Sequence, residues 1–416
     1  MSLAKASVWT ASSTLVKISA GLLVVKLLAV RFGPEGVGQA GNFRQLITVL
    51  SVLAGAGIFN GVTTYIAQYQ HQPEPLRALL GTASAMVLGF STLLALVFLL
   101  AAAPISQVLF GHTRFDNVVR IFAFLQFGIA WANLVLALLK GYRDARGNAL
   151  ALIVGSLLGV AAYALCWCIG GYSGALVGFA LVPALVVVPA FALLKRHVSL
   201  PLGWLKPQWQ PEIARRLAKF TLMALITSFT LPAAWVMMRN LLAQHDGWAQ
   251  VGLWQGVNSI SDAWLQFITA TFSVWLLPTL ARLDQKCDIA REIGRALRFA
   301  LSAVAAIGFC VWLLRDVAIW LLFSPAFNAM RNLFVWQLCG DVFKVGAYVF
   351  GYLVIAKASL RFYTLAEMSQ FILLTLFSRW LIPLSGVTGA AQAYMATYLC
   401  YFALCCGAFM IYCRKK

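Results

Sequence analysis

Stretches of twenty or more almost wholly apolar residues recur from one end of this chain to the other, broken only by short clusters of charge, glycine and proline. A helix needs about 20 residues to cross a hydrocarbon core some 30 Å thick. In lipid only a helix or a closed barrel satisfies its own backbone hydrogen bonds. The runs lie at about 8–30, 38–68, 78–102, 117–139, 148–169, 173–194, 217–243, 250–280, 297–319, 329–356, 363–382 and 387–412. They predict an all-α polytopic membrane protein with twelve transmembrane helices. Composition agrees: 62% of the 416 residues are hydrophobic and 11% charged, against roughly 45–50% and 25% in soluble domains. A soluble enzyme, a disulfide-rich secreted domain and a disordered chain are excluded. The first run outlasts the usual 7–15-residue signal core and lacks a small-residue cleavage site, so no cleavable signal peptide is expected.

The formal charge of +19 would point to nucleic acid in a soluble chain. In a membrane chain it points first to basic loops held on the cytoplasmic side, and no nucleic-acid partner is expected. With the N-terminus inside, 21 of the 32 Lys and Arg residues fall on that side, Lys140, Arg146, Lys415 and Lys416 among them. Seven fall outside: Arg31, Arg114, Arg120, Arg239, Arg315, Arg331 and Arg379. Both termini are therefore expected in the cytoplasm. The nine cysteines show no CxxC and no metal spacing with histidine, and they read as small buried hydrophobes. Cys287 alone falls in a polar loop.

A repeat runs through the chain. Leu3-Ala4-Lys5 recurs as Leu217-Ala218-Lys219, Leu27-Leu28-Ala29 as Leu241-Leu242-Ala243, and Val37-Gly38 as Val251-Gly252, all 214 residues apart. Arg146 and Arg361 occupy matching loops at an offset of 215. The expected organisation is a six-helix lobe over 1–194, a basic cytoplasmic linker over 195–216 and a second six-helix lobe over 217–416. Six helices per lobe give both halves the same orientation, the parallel-repeat plan of several transporters.

Seven ionisable residues lie well inside the apolar runs: Lys17, Lys26, Arg44, Asp262, Asp341, Lys344 and Glu367. Each costs roughly 2.5–3.5 kcal/mol at a helix centre unless it is paired or faces water. Lys17 lies nine residues into the first run, roughly 13 Å deep, and Arg44 about six residues below the outer end of the second. They read either as cavity cations or as members of ion pairs, and the absence of any acid in the first-half runs favours an anionic ligand. Lys26, nine residues from Lys17, points about 180° away on a straight helix and can reach the outer interface. Arg239 is expected near the outer mouth. Asp341 and Lys344, three apart, form either a self-neutralised pair or a functional one. Asp262 and Glu367 lack a local base and are candidate proton carriers. Asn42 and Gln45 beside Arg44, and Asn258, Ser259 and Ser261 beside Asp262, give two repeat-related runs polar middles suited to sugar hydroxyls. Trp254, Trp264 and Trp275 in the same second-half run read as packing residues. There is no Walker-type loop, no HExxH motif and no long extramembrane segment. No catalytic residue, metal or cofactor is expected, and the chain reads as a transporter rather than an enzyme.

Three stretches carry a specific likeness. Residues 1–69, with "LVKISAGLLVVKLLAVRFGPEGVGQAGNFRQLITVL", together with "KFTLMALITSFTLPAAW" at 219–235 and "GDVFKVGAYVFGYLVIAKASLRFY" at 340–363, resemble Wzx-type flippases of the enterobacterial common antigen pathway, over the whole chain and in order. These belong to the multidrug/oligosaccharidyl-lipid/polysaccharide exporter superfamily. The resemblance implies two six-helix lobes in a V that work by alternating access. It also implies movement of an undecaprenyl-pyrophosphate-linked trisaccharide from the cytoplasmic to the periplasmic leaflet. By the same resemblance, Lys17 and Arg44 match the basic cavity positions of related flippases. Membrane lipids and the polymerase and chain-length regulator of the pathway would be partners. A multidrug exporter on the same fold is the alternative. It would call for unpaired acids in the cavity, and only Asp262 and Glu367 answer that description.

Overall fold

The computed structural model describes residues 3–197, 201–283, 285–357 and 359–414; Lys415 and Lys416, assigned above to the cytoplasmic side, lie outside them. The described chain is helical from end to end, in the order α1 (Leu3–Leu53), α2 (Phe59–Tyr69), α3 (Pro73–Leu100), α4 (Ala102–Phe110), α5 (Asp116–Gly141), α6 (Ala145–Ala184), α7 (Val187–His197), α8 (Pro211–Asp246), α9 (Trp248–Val274), α10 (Leu276–Arg282), α11 (Lys286–Leu313), α12 (Arg315–Leu322), α13 (Phe334–Ala356) and α14 (Leu360–Arg414). Among the described residues seven stretches are long and apolar enough to cross a bilayer, and three of these run to 46, 52 and 54 residues. Each of the three holds a glycine with a positive φ, Gly33, Gly171 and Gly386, across which two helices join. These three stretches count double, and α8 and α9 complete the twelve. Around Gly171 the limbs run antiparallel: a Cβ on Gly178 would stand 2.9 Å from Tyr163 Cα, and one on Gly159 would stand 2.6 Å from Val182 Cα.

The repeat seen in the sequence recurs in the element boundaries. Helices α3 and α11 are both 28 residues long and start 213 apart; α5 and α13 end, and α6 and α14 begin, 215 apart. The positive-φ glycines pair in the same way, Gly33 with Gly247 and Gly171 with Gly386. Backbone geometry that only glycine adopts cheaply thus sits at equivalent turns in both halves.

By contacts the chain divides into one unit of Met1–Val24 with Asn42–Pro232, and another of Val25–Gly41 with Ala233–Lys416. The core of the first lies between α2, α3 and α5, with Leu79, Leu80, Val135 and Leu139 fully buried. Trp204, Leu205 and Leu217 pack onto it, and Gln208 donates its backbone N–H to Gly81 O at 3.1 Å. The segment between the halves is therefore laid along α3 where it is described. The second core gathers Leu276, Leu280, Ile293, Val345 and Val349 from α10, α11 and α13, with Phe402 and Phe409 of α14 against it.

Two of the apolar runs are not continuous helices. The run at 38–68 breaks between Leu53 and Phe59, where Ala56 and Gly57 take φ of 54° and 66°. The run at 250–280 breaks at Trp275. At the first break, groups from other helices satisfy the freed backbone. Ser91 Oγ donates to Ala54 O at 2.8 Å, Asn133 Nδ2 donates to Ser51 O at 2.9 Å, and Gln126 Nε2 donates to Ser91 O at 2.7 Å. Irregular backbone at membrane depth persists only where protein groups replace water in this way. Asn133→Leu should lower the unfolding free energy by about 1–3 kcal/mol by orphaning the Ser51 carbonyl. Thermal unfolding in detergent reads this directly.

The cysteines differ from expectation: none of the nine is fully buried, and Cys168, Cys287, Cys310 and Cys339 are exposed on the protein surface. On spanning helices such positions face lipid. Cys287 lies in the first turn of α11, which starts well before the apolar run at 297–319 because its first turns carry charge on one side and Ile289 and Ile293 on the buried side.

Candidate functional site

In the first unit two lysines, Lys17 and Lys140, make no salt bridge among the described residues. Lys17 on α1 is exposed, and so is Lys140 in the last turn of α5. Their ammonium groups lie close enough to repel one another, and among the described residues neither has an ion-pair partner. Two like charges held together without neutralisation are unfavourable unless a counter-anion or water serves them. Lys140 sits in a run of basic residues near the membrane boundary, so topology accounted for it in the sequence. Proximity to Lys17 appears only once α1 and α5 are placed. Arg44 and Gln45 are half-buried on the second limb of α1. Asn42 is fully buried and donates from Nδ2 to Leu109 O at 3.0 Å, so its amide holds the end of α4.

Lys26 is half-buried and belongs to the second unit, whereas Lys17 belongs to the first.

The second unit holds a dense polar network. Asp341 on α13 is fully buried and accepts hydrogen bonds from Ser261 Oγ at 2.5 Å and Tyr394 Oη at 2.6 Å. Lys344, also buried, lies over the rings of Tyr394 and Tyr398 at 5.3 and 5.1 Å, a cation–π cage. Asp341 and Lys344, three residues apart on α13, make no direct ion pair; hydroxyls hold the carboxylate and rings flank the neighbouring ammonium. Asn258 Nδ2 donates to Asp262 at 3.2 Å, and Gln337 Nε2 donates to Asn258 Oδ1 at 3.4 Å. Asp262 and Glu367 are both half-buried. Ser259 and Ser261 are buried, and Gln255 Nε2 donates to Ser259 Oγ at 3.4 Å.

Arg239, expected at the outer mouth, is only 3% exposed. Its Nε donates to Gln255 Oε1 at 2.9 Å and its guanidinium covers the Trp254 ring at 5.7 Å. Trp254 stacks on Trp235 at 5.6 Å, and Trp235 lies 5.8 Å from Tyr394. Trp264 is half-buried and Trp275 exposed. Burial of Arg239 follows from partners on α9 that an α8 sequence cannot reveal. Tyr394, Tyr398, Gln337 and Gln255 were all missed by sequence reading. Only the four-residue spacing of the two tyrosines, which puts them on one helix face, could have marked them.

Chemically, the first unit offers two exposed ammonium groups, Lys17 and Lys140, suited to an anion. The second offers one carboxylate held by two hydroxyls beside a caged ammonium, a set that can accept or release a proton.

The chain is 68% identical over 415 residues to the lipid III flippases of Escherichia coli K12 and Shigella flexneri, covering the whole of both sequences in each case. Among solved structures, the lipid II flippase MurJ in an inward closed conformation matches with a TM-score of 0.72 at 13% identity, over 97% of this chain and 87% of that one. An inward-facing multidrug resistance MATE transporter of the MOP superfamily matches with 0.71 at 14% identity, over 96% and 98%. At such identities these likenesses concern the fold alone. Residues 3–284 match the family model described as polysaccharide biosynthesis protein, and with the full-length likeness to the two flippases this places the chain as a member of that family.

Proposed function

We propose that this chain is a lipid III flippase, which moves an undecaprenyl-pyrophosphate-linked trisaccharide from the cytoplasmic to the periplasmic leaflet of the inner membrane. The observation that carries the reading is end-to-end identity of 68% with two lipid III flippases. The chemistry of the first unit supports it. A pyrophosphate cannot cross hydrocarbon unaided, and Lys17, Lys140 and Arg44 offer it replacement hydrogen bonds and charge. The polyprenyl tail stays in lipid while the head group crosses. Asn42, Gln45, Asn258, Ser259 and Ser261 are assigned to the polar surroundings of the sugars, with Asn42 and Ser261 acting mainly by holding their neighbours. Lys26 and Arg239 are assigned to later stages of the path. The lobes of this mechanism are 1–194 and 217–416, with both termini in the cytoplasm. The polymerase and chain-length regulator of the same pathway would receive the flipped lipid.

Ion coupling is assigned to Asp341 and Lys344, with Asp262 and Glu367 as additional acids. A carboxylate that exchanges a proton while its partners stay in place changes the charge of the second unit by one. Such a step is the minimum needed to bias a two-state transporter. The multidrug exporter alternative rests on fold likeness at 14% identity alone.

The test is transport of a labelled lipid-linked trisaccharide in reconstituted vesicles, with and without a proton gradient. Movement is expected, faster with the gradient in the parent and insensitive to it in Asp341→Asn. No movement under either condition would refute the flippase reading. Gradient dependence that survives in Asp341→Asn would move coupling elsewhere.

A further inference from the structure

Between α7 and α8 the described chain runs along the start of α3, within the first unit. A single turn of tight helix at Leu202–Leu205 sets Trp204 and Leu205 onto the apolar core. The backbone N–H of Gln208 then donates to Gly81 O at 3.1 Å. Gly81 permits this approach, since a Cβ built on it would stand 3.0 Å from Gln208 Cβ and 3.3 Å from Lys206 O. The contacts fix residues 206–210 at a definite depth. Gly81 lies just inside the apolar run at 78–102, and Arg77 is the last charged residue before that run. Arg77 and Gly81 are about 6 Å apart along the helix, and four residues apart they share a face of α3. The pinned segment therefore sits where hydrocarbon gives way to head groups.

Every residue from Lys206 to Gln210 is exposed. Trp209 is 62% exposed, although Trp204 and Leu205 nearby are turned inward. At this depth a tryptophan sets its ring among the ends of acyl chains and its N–H among head groups. Arg77 is exposed on the face of α3 that the segment crosses. Neither Arg77 nor Lys206 has an ion-pair partner among the described residues. Arg215, Arg216 and Lys219 are exposed at the start of α8, and Arg216 donates to Tyr69 Oη at 3.1 Å. Across 73–81 and 206–219 these five bases stand against two acids, Glu74 and Glu212. A surplus of positive charge around a ring held at head-group level complements a phospholipid whose head group is negative. We propose that Arg77 and Lys206 hold the phosphate of an anionic phospholipid of the cytoplasmic leaflet, with Trp209 against its acyl chains. The lipid then fastens the connection between the halves to the membrane surface. The side named here rests on the flippase reading, which puts this segment in the cytoplasm.

The test uses the full-length protein in phosphatidylcholine vesicles, with its nine native cysteines replaced and Gln210→Cys carrying an NBD fluorophore. Nitroxide-labelled phosphatidylglycerol or nitroxide-labelled phosphatidylcholine is added as quencher. Phosphatidylglycerol is expected to half-quench the probe at about a tenth of the mole fraction that phosphatidylcholine needs, the preference two surface cations supply. Arg77→Gln combined with Lys206→Gln should bring the two lipids to parity. The melting temperature should hold, because both side chains are exposed. Gly81→Ala keeps every charge but pushes the segment off α3, and it should reduce the preference severalfold, a loss that charge alone does not produce. Trp209→Ala should weaken quenching by both lipids. Arg114→Gln, exposed on the opposite side, should behave as the parent. Equal quenching by the two lipids in the parent would overturn the proposal. So would a preference that survives the double variant or Gly81→Ala, quenching unaltered by Trp209→Ala, or an equal loss in Arg114→Gln. The readout needs no trisaccharide: a preference in a parent that moves no lipid-linked sugar would remove the flippase reading and leave the phospholipid site standing.

Discussion

Asp341→Ala is expected to cost about 3–5 kcal/mol of stability, because it strands the buried charge of Lys344 in an apolar interior. Asp341 is fully buried, and the hydroxyls of Ser261 and Tyr394 both donate to it. Removing the carboxylate leaves two donors without their acceptor and an ammonium held only against the faces of Tyr394 and Tyr398. Asp341→Asn keeps one acceptor oxygen and should cost less, since a hydroxyl can rotate to accept from the new amide. The sharper measurement is the double variant. If the stranded charge dominates, Asp341→Ala with Lys344→Met recovers most of the stability lost in Asp341→Ala alone. Thermal unfolding in detergent reads all three. Additive losses in the double variant would show that the two residues act independently.

The second large effect concerns transport rather than stability. Lys17→Ala combined with Lys140→Ala should depress flipping by roughly 100-fold or more, if each ammonium makes one charge-assisted contact worth about 1.5–3 kcal/mol to a phosphate. Stability should not follow. These two side chains are exposed on the protein surface, so removing them should leave the fold unharmed. Weaker transport at undiminished melting temperature separates a ligand-binding role from a packing one. Lys17→Arg retaining most of the rate would support charge as the requirement, and Lys140→Ala transporting normally would remove that residue from the site.

Legibility in the sequence followed the physics of each feature. Asp341 and Lys344 stood out because a charge within an apolar run is conspicuous by itself. Their partners did not: Tyr394 comes from 53 residues away and Ser261 from 80, and a tyrosine in a membrane helix has many ordinary explanations. Lys140 was hidden in the opposite way. It belongs to a set of basic residues that topology explains, and only the placement of α1 against α5 separates it from them. The break at 53–58 was invisible for a third reason, since Ser91 and Asn133, which cap it, lie on α3 and α5. Arg239 shows the limit most plainly: depth along a helix was readable, but burial depends on Gln255 and Trp254 of the next helix.

Sequence alone determined that this chain lies in a membrane as two repeated sets of helices. A backbone in hydrocarbon must bond to itself, and hydropathy and repeat spacing are local properties written along the chain. Tertiary structure decided which charges are buried and caged, which stay exposed and where glycines meet. Those depend on distances between helices, which packing sets to within a methyl group and no single helix contains.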